Sequence, residues 1–95
     1  MNFGQALESL KRGAKVAREG WNGNGMFIYY VEGTKVKSSQ LRGAALDHVG
    51  YLGEGDDPEV VINGHIDMKC ADGSITVGWN PSQTDMQAED WEMVE

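Results

Sequence analysis

Cysteine and histidine, which form disulfides and many metal sites, are scarce in this sequence, and long apolar runs are absent. One cysteine and two histidines are present among 95 residues, and a single cysteine cannot form an internal disulfide. No stretch approaches the roughly 20 consecutive apolar residues of a membrane helix. The first residues also lack the basic and apolar regions of a secretion signal. We therefore expect a cytoplasmic protein that does not interact with a membrane.

Basic residues are also scarce, and they are unevenly distributed. The chain has 8 Lys and Arg against 15 Asp and Glu, a formal net charge of −7, and seven of the basic residues lie at or before Arg42. Binding to a nucleic-acid polymer depends on basic residues that neutralise many phosphates, so this charge argues against such a partner. A small anionic ligand needs only two or three local cations and remains compatible with the composition.

The N-terminal third shows a helix followed by two strands. Asn2 and Gln5 have the spacing of a capping box, which predicts a helix from Phe3 to Arg12. Strands are predicted at Ala14–Arg18 and Met26–Val31. The loop between them contains three glycines and two asparagines, which favour positive φ angles and leave backbone amides available to a ligand.

The middle of the chain gives weaker signals. Ser39 is a candidate cap for a short helix from Gln40 to His48, and residues 50–59 form an acidic, glycine-bearing loop. A strand fragment at Val60–Ile62 precedes Asn63-Gly64, a dipeptide typical of a tight hairpin. We therefore expect that fragment to pair with the strand that begins at His65.

The C-terminal third predicts a second hairpin and a capped helix. Asp72-Gly73 suits the turn between the strand at His65 and a short return strand, Ile75–Val77. Ser82 and Asp85 then form a second capping box. Trp91 alternates with Met93 in an apolar pattern, and we assign it to the core.

Together these elements predict one small α+β domain spanning residues 1–95. It would have a four- or five-stranded antiparallel sheet with the N-terminal helix packed on one face. A chain of this length buries only about 60–65% of its unfolded surface, so its own core is modest. We expect it to form a homo-oligomer.

Two tryptophans and a polar cluster are the candidate ligand-binding residues. Trp21 and Trp79 lie in predicted loops, where an indole can stack on a flat ring or close the edge of a small core; we weigh these equally. A helix cap needs only Ser82 and Asp85, so Gln83 and Thr84 are available to bond riboses or a base edge. The simpler explanation of the polar cluster is that it only caps the helix.

Three basic residues, Lys15, Arg18 and Lys69, are candidate phosphate contacts, with solvated surface as the alternative. A catalytic or metal site has little support. His65 and Asp67 could act as an acid and base, but no nucleophile with a recognisable base and no metal-ligand spacing is present.

Two long segments resemble a known family. They are M-N-F-G-Q-A-L-E-S-L-K-R-G-A-K-V-A-R-E-G-W-N-G near the start and H-I-D-M-K-C-A-D-G-S-I-T-V-G-W-N-P-S-Q-T-D-M-Q-A-E-D-W near the end. Both are similar to a small phage family that counters the bacterial Thoeris defence system, the type two Thoeris anti-defence proteins. The likeness covers residues 1–31 and 64–95, and its motifs are specific.

The resemblance implies a non-catalytic protein of the host cytoplasm that sequesters a signalling nucleotide. Family members hold a cyclic ADP-ribose isomer in pockets between the subunits of a homotetramer, and some also take cyclic oligonucleotides. It implies no cofactor and no metal. The positions that match the binding motifs are Arg18, Trp21, Asn22, Gly23, Lys69, Trp79, Ser82, Gln83, Thr84 and Asp85.

Two alternatives to sequestration remain open at this point. One is a hydrolase or lyase that degrades a cyclic nucleotide, with His65 and Asp67 as its acid and base. The other is an adaptor that binds a host protein through its acidic C-terminal half.

Overall fold

The computed structural model describes residues 1–21, 25–50 and 57–95. Their contacts divide the chain into two compact units, one of Met1–Val31 with His65–Glu95 and one of Glu32–Gly64. Within the described ranges the elements are α1 Phe3–Lys11, β1 Lys15–Arg18, β2 Phe27–Val31, β3 Thr34–Lys37, a 3-10 helix Ser38–Gln40, α2 Gly43–Val49, β4 Glu59–Ile62, β5 His65–Lys69, β6 Ile75–Thr76, α3 Gln83–Gln87 and β7 Trp91–Val94.

The first unit is built on a five-stranded sheet of order β6-β5-β2-β1-β7. Every neighbouring pair in it is antiparallel. The apolar strand β2 lies at its centre and pairs with β5 over its whole length, from Phe27 opposite Lys69 to Val31 opposite His65. The prediction of a small α+β fold with an antiparallel sheet is confirmed.

Helix α1 forms as its sequence predicts. The Asn2 side chain accepts from the backbone of Gln5, and the Gln5 side chain accepts from Asn2, so the capping box is complete. The helix ends at Lys11 with Arg12 as its C-cap, one residue earlier than predicted. Gly13 follows with a φ of 95°, a left-handed conformation that glycine adopts without steric cost.

The core of this unit lies between α1 and one face of the sheet. Its fully buried members come from the helix and from three strands, and they are Ala6, Leu10, Val16, Ile28 and Trp91. Side chains alternate along a strand, so β2 residues on either side of Ile28, such as Phe27, face away from α1. The sheet therefore has a helix-covered face and an opposite face.

The β5–β6 hairpin follows the predicted turn. Gly73 has a φ of 91°, and Met68 and Lys69 pair with Thr76 and Ile75. The return strand contains two residues instead of the three predicted.

The predicted pairing across Asn63-Gly64 is wrong. Strand β4 pairs with β3 in a separate two-stranded sheet, with Thr34 opposite Ile62. Strand β5 pairs with β2 and β6 instead. The dipeptide thus links two sheets, because the apolar strand β2 offers β5 more burial than a short local hairpin would.

The predicted helix from Gln40 to His48 is also wrong in its start. The chain forms a 3-10 helix first, and α2 begins at Gly43 with Arg42 at the N-cap and no side-chain cap. Ser39 does not cap α2 but bonds the Asp57 carboxylate through its amide and hydroxyl. Most of the predicted acidic loop, residues 51–56, lies outside the described residues.

Candidate functional site

Three tryptophans meet at one end of the helix-covered face. The ring centroids of Trp21 and Trp91 are 5.3 Å apart, those of Trp21 and Trp79 6.1 Å, and those of Trp79 and Trp91 6.3 Å. The interplanar angles are 80°, 67° and 80°. Aromatic rings prefer such edge-to-face contacts at these distances. We call this group the tryptophan cluster.

The three indoles differ in burial. Trp91 is 2% exposed, which confirms its assignment to the core. Trp21 and Trp79 are partly buried and pack against the core cluster, so they are less exposed than their loop positions suggest. Neither residue is fully buried, and their rings form a corner between two planes.

Helix α3 begins beside this corner. Ser82 accepts from the Asp85 amide at 3.0 Å, and Asp85 accepts from the Ser82 amide at 2.9 Å, so the predicted capping box forms. Gln83 and Thr84 occupy the first turn and are exposed. Capping therefore uses Ser82 and Asp85 and leaves the Gln83 and Thr84 side chains facing solvent.

Asp85 also ties the tryptophan cluster together. Its carboxylate accepts from Arg18 Nη1 at 2.9 Å and from Trp21 Nε1 at 3.3 Å. Its carbonyl accepts from Trp91 Nε1 at 2.9 Å. The residue is 9% exposed, so one nearly buried acid fixes two indoles and one guanidinium.

Asp90 is a site residue that the sequence analysis did not assign a role. Its carboxylate accepts from Arg18 Nε and from the Gly20 amide, each at 2.9 Å. The signal was its place directly before Trp91, since β7 pairs with β1 and sets Trp91 opposite Arg18. Asp90 can therefore be assigned to the site only when the pairing of β7 with β1 is known.

The ion pairs shift the pKa values of this group. Hydrogen bonds from Arg18 and from the Gly20 amide hold the pKa of Asp90 below its usual range. Burial acts to raise the pKa of Asp85, but hydrogen bonds from Ser82, Arg18 and Trp21 outweigh it and leave that pKa lowered. The same contacts raise the pKa of Arg18 above its ordinary value. All three groups are therefore charged at neutral pH.

The thermal midpoint is expected to depend on pH through these acids. A carboxylate with a lowered folded-state pKa stabilises the fold fully above its ordinary pKa of about 3.9, and this stabilisation is lost as the pH falls through the folded value. Stability owed to Asp85 and Asp90 should therefore stay constant from pH 8 to about 5 and decline below about 4. Thermal melts across this range measure it. In Asp90→Asn the decline should be shallower, and an unchanged decline would contradict the assignment.

Lys69 lies apart from the tryptophan cluster. It is opposite Phe27 in the β2–β5 pair, so its side chain leaves the sheet on the face away from α1. Its ammonium donates to the Gly25 carbonyl at 3.2 Å and stands 5.6 Å from the centre of the Phe27 ring. Lys69 therefore holds the far end of the loop that begins at Trp21.

The structure thus divides the sequence-predicted site residues. It brings together Arg18, Trp21, Trp79, Ser82 and Asp85. It places Lys69 on the other face of the sheet. Asn22 and Gly23 lie outside the described residues.

His65 and Asp67 form a pair on the sheet. His65 Nε2 lies 3.4 Å from Asp67 Oδ1, and Asp67 also accepts from the Gly78 amide at 3.1 Å. Asp67 is 5% exposed, and its carboxylate holds the turn that precedes Trp79. Across residues 1–21, 25–50 and 57–95, no cluster of three His, Cys, Asp or Glu side chains is placed to hold a metal ion.

In the part of the chain that the structure describes, no helix is both long enough and apolar enough to cross a bilayer.

Comparison with known proteins gives one consistent result. Residues 1–94 match the family described as Tad2-like, the Thoeris anti-defense 2-like domain. The chain is also 45% identical over 94 residues to Thoeris anti-defense 2 of Bacillus phage SP01, a match that covers 99% of this chain and 94% of that protein. The chain therefore belongs to the Thoeris anti-defense 2 family.

Proposed function

We propose that this protein acts in phage anti-defence by binding and sequestering a cyclic ADP-ribose-type nucleotide without cleaving it. The observation that carries the proposal is the corner formed by Trp21 and Trp79. Their ring planes meet at 67° with centroids 6.1 Å apart. An adenine could stack on one indole and meet the edge of the other, and such stacking contributes about 1–3 kcal/mol per base.

The polar groups beside this corner suit the rest of such a ligand. Ser82, Gln83 and Thr84 are exposed at the start of α3, within the same unit as both indoles. Hydroxyl and amide side chains bond ribose hydroxyls and base edges in either direction, as donor or acceptor. We propose that Gln83 and Thr84 contact the riboses, and that Asn22 and Gly23 also contribute to binding.

Phosphate binding must rely on short-range contacts. The net charge of −7 opposes long-range attraction of an anion, and only groups within a Debye length of about 8–10 Å can offset that field. Lys69 remains a candidate, through a second copy or through the loop that it anchors at Gly25. Arg18 already contacts two carboxylates, which makes a direct phosphate contact by this residue less favourable.

Recovery of the ligand tests the proposed function against its rivals. The protein is incubated with cyclic ADP-ribose and its linkage isomers, filtered, and then heated to release what it holds. A sequestering protein should deplete one isomer and return it intact, as measured by chromatography. Recovery of cleaved products would support the hydrolase or lyase, and no depletion of any isomer would support the adaptor.

A variant of the rival acid and base sharpens this result. His65→Ala removes the imidazole that catalysis would require. His65 lies in strand β5 and is not a member of the tryptophan cluster. A sequestering protein should lose little depletion in this variant. A variant that stops producing cleavage products would instead establish His65 as catalytic.

Assembly is the second part of the proposal. Both edge strands and the turn after β6 expose apolar side chains in the described chain: Ile75 is 60% exposed, Val77 69% and Met93 63%. A small chain gains stability by covering such surface with another copy. Light scattering at micromolar concentration should give a multiple of the chain mass of 10.4 kDa. A mass near that single-chain value would contradict assembly and any pocket shared between subunits.

A further inference from the structure

One residue holds the short turn that leads into Trp21. The Glu19 amide donates to the Asp90 carbonyl at 3.0 Å, and the Gly20 amide donates to the Asp90 carboxylate at 2.9 Å. The Trp21 amide then closes the turn on the Arg18 carbonyl at 3.2 Å. Both amides that precede Trp21 therefore bond to Asp90.

The same carboxylate also fixes the side chain at the start of the turn. Asp90 Oδ1 accepts from Arg18 Nε at 2.9 Å, while Arg18 Nη1 donates to Asp85 Oδ1 at 2.9 Å. The guanidinium is planar and rigid, so two bonds from different nitrogens define its orientation. Asp85 Oδ1 accepts in turn from Trp21 Nε1. A continuous series of charge-assisted bonds thus runs from Asp90 to the indole.

The Gly20 backbone lies close to the Asp90 carboxylate. A Cβ atom at Gly20 would lie 2.9 Å from Asp90 Oδ2, which is closer than a carbon can approach an oxygen without displacing it. The Asp90 and Arg18 side chains are 31% and 16% exposed. The turn is therefore held by a partly exposed carboxylate that is paired with a more enclosed guanidinium.

The net charge of Arg18, Asp85 and Asp90 indicates the role of these three side chains. Arg18 carries one positive charge and meets two negative ones, so the three side chains together carry a net charge of −1. This balance is poor for attracting a phosphate, but it suits a network that orders its own members. Arg18 is then a link between two acids.

We propose that Asp90 is a positioning residue of the nucleotide site, which acts through Arg18 and Asp85 to set the Trp21 indole and does not itself touch the ligand. The part of this inference that concerns ligand affinity rests on the proposed function. Its structural part, the dependence of the Trp21 indole on Asp90, can be measured without any ligand.

The test compares Asp90→Asn with the parent chain. Asparagine is nearly isosteric and removes the charge that orients Arg18. In two-dimensional NMR spectra the Trp21 indole N–H resonance should shift more than that of Trp91, whose bond to the Asp85 carbonyl does not pass through Asp90. Affinity for the cyclic ADP-ribose isomer that binds the parent best should fall at least tenfold. Glu89→Gln is the matched control, because it removes the same charge from an exposed neighbour and should change neither readout.

Two further outcomes are decisive. If Asp90→Asn lowers thermal stability but leaves the Trp21 indole resonance in place, Asp90 is merely structural and the proposal is overturned. If Asp90→Asn is unfolded at 25 °C, Arg18→Lys replaces it, because lysine keeps the charge but cannot bond both acids in one plane. A shifted Trp21 resonance with weaker binding in that variant supports the proposal, and unchanged values overturn it.

Failure of the proposed function remains distinguishable from failure of this inference. If no isomer binds the parent chain, sequestration of such nucleotides is ruled out by that titration alone. The Trp21 resonance in Asp90→Asn then decides the positioning role by itself. Its shift supports the role, and its absence overturns it.

Discussion

Replacement of Trp91 by alanine is expected to lower the free energy of unfolding by about 3–5 kcal/mol, the usual cost of removing a buried tryptophan. This indole is 2% exposed, and its ring contacts those of Phe3, Trp21 and Trp79. Its Nε1–H also supplies the hydrogen bond to the Asp85 carbonyl. Small domains have only about 5–15 kcal/mol in total, so this change should leave the fold marginal.

Urea denaturation followed by far-ultraviolet circular dichroism measures the loss. Glu92→Ala is the matched control, since Glu92 is exposed in the same strand and such surface changes usually stay within about 0.5 kcal/mol. A Trp91→Ala variant that loses less than about 1 kcal/mol would contradict the view that this residue organises the core.

Replacement of Trp21 by alanine should weaken binding of the cyclic nucleotide by about 1–3 kcal/mol, or on the order of ten- to a hundredfold. The reason is the loss of one wall of the corner described above. Trp21 also packs against Trp91 at 5.3 Å, so some loss of stability is expected as well. Isothermal titration at a temperature where the variant is fully folded separates the two effects.

Trp21→Phe gives the sharper comparison. Phenylalanine keeps an aromatic face for stacking but removes the N–H that bonds Asp85. If stacking dominates, Trp21→Phe should retain most of the affinity that Trp21→Ala loses. Equal losses in both variants would assign the effect to the hydrogen bond. Normal binding by Trp21→Ala would return this indole to a purely structural role.

Trp79→Ala tests the other wall of the corner. Its indole reaches the cluster from the turn after β6, where the Trp79 amide donates to the Ile66 carbonyl at 2.7 Å. Binding should weaken by a factor similar to that in Trp21→Ala if an adenine stacks on one ring and contacts the edge of the other. An effect confined to Trp21 would place the base on that ring alone.

The local elements were predictable because their causes are local. Both capping boxes, at Asn2 with Gln5 and at Ser82 with Asp85, consist of contacts three residues apart, so the spacing in the sequence determines them. The turn at Asp72-Gly73 depends only on the tolerance of glycine for positive φ. The core position of Trp91 agrees with its apolar alternation with Met93, although Met93 itself is 63% exposed.

The errors arose where a local signal competed with pairing between distant segments. Asn63-Gly64 favours a hairpin, but the residues on either side belong to different sheets. The choice of strand partner depends on how much apolar surface each pairing buries, which no window of a few residues contains. Strand β3 was missed because its four residues contain one apolar side chain, Val36, which is too weak a signal to distinguish a strand from a loop.

The sequence by itself determined the starts of α1 and α3, the turn at Asp72-Gly73, the aromatic and polar residue types near the site, and the family. Only the tertiary structure decided which of those residues meet. It brought Arg18, a candidate phosphate contact, to Asp85 and Asp90, which lie 67 and 72 residues away along the chain. It also placed Lys69 and the tryptophan cluster on opposite faces of the sheet. Spacing along a chain encodes contacts within one element, whereas these contacts exist only after β1 has paired with β7 and β2 with β5.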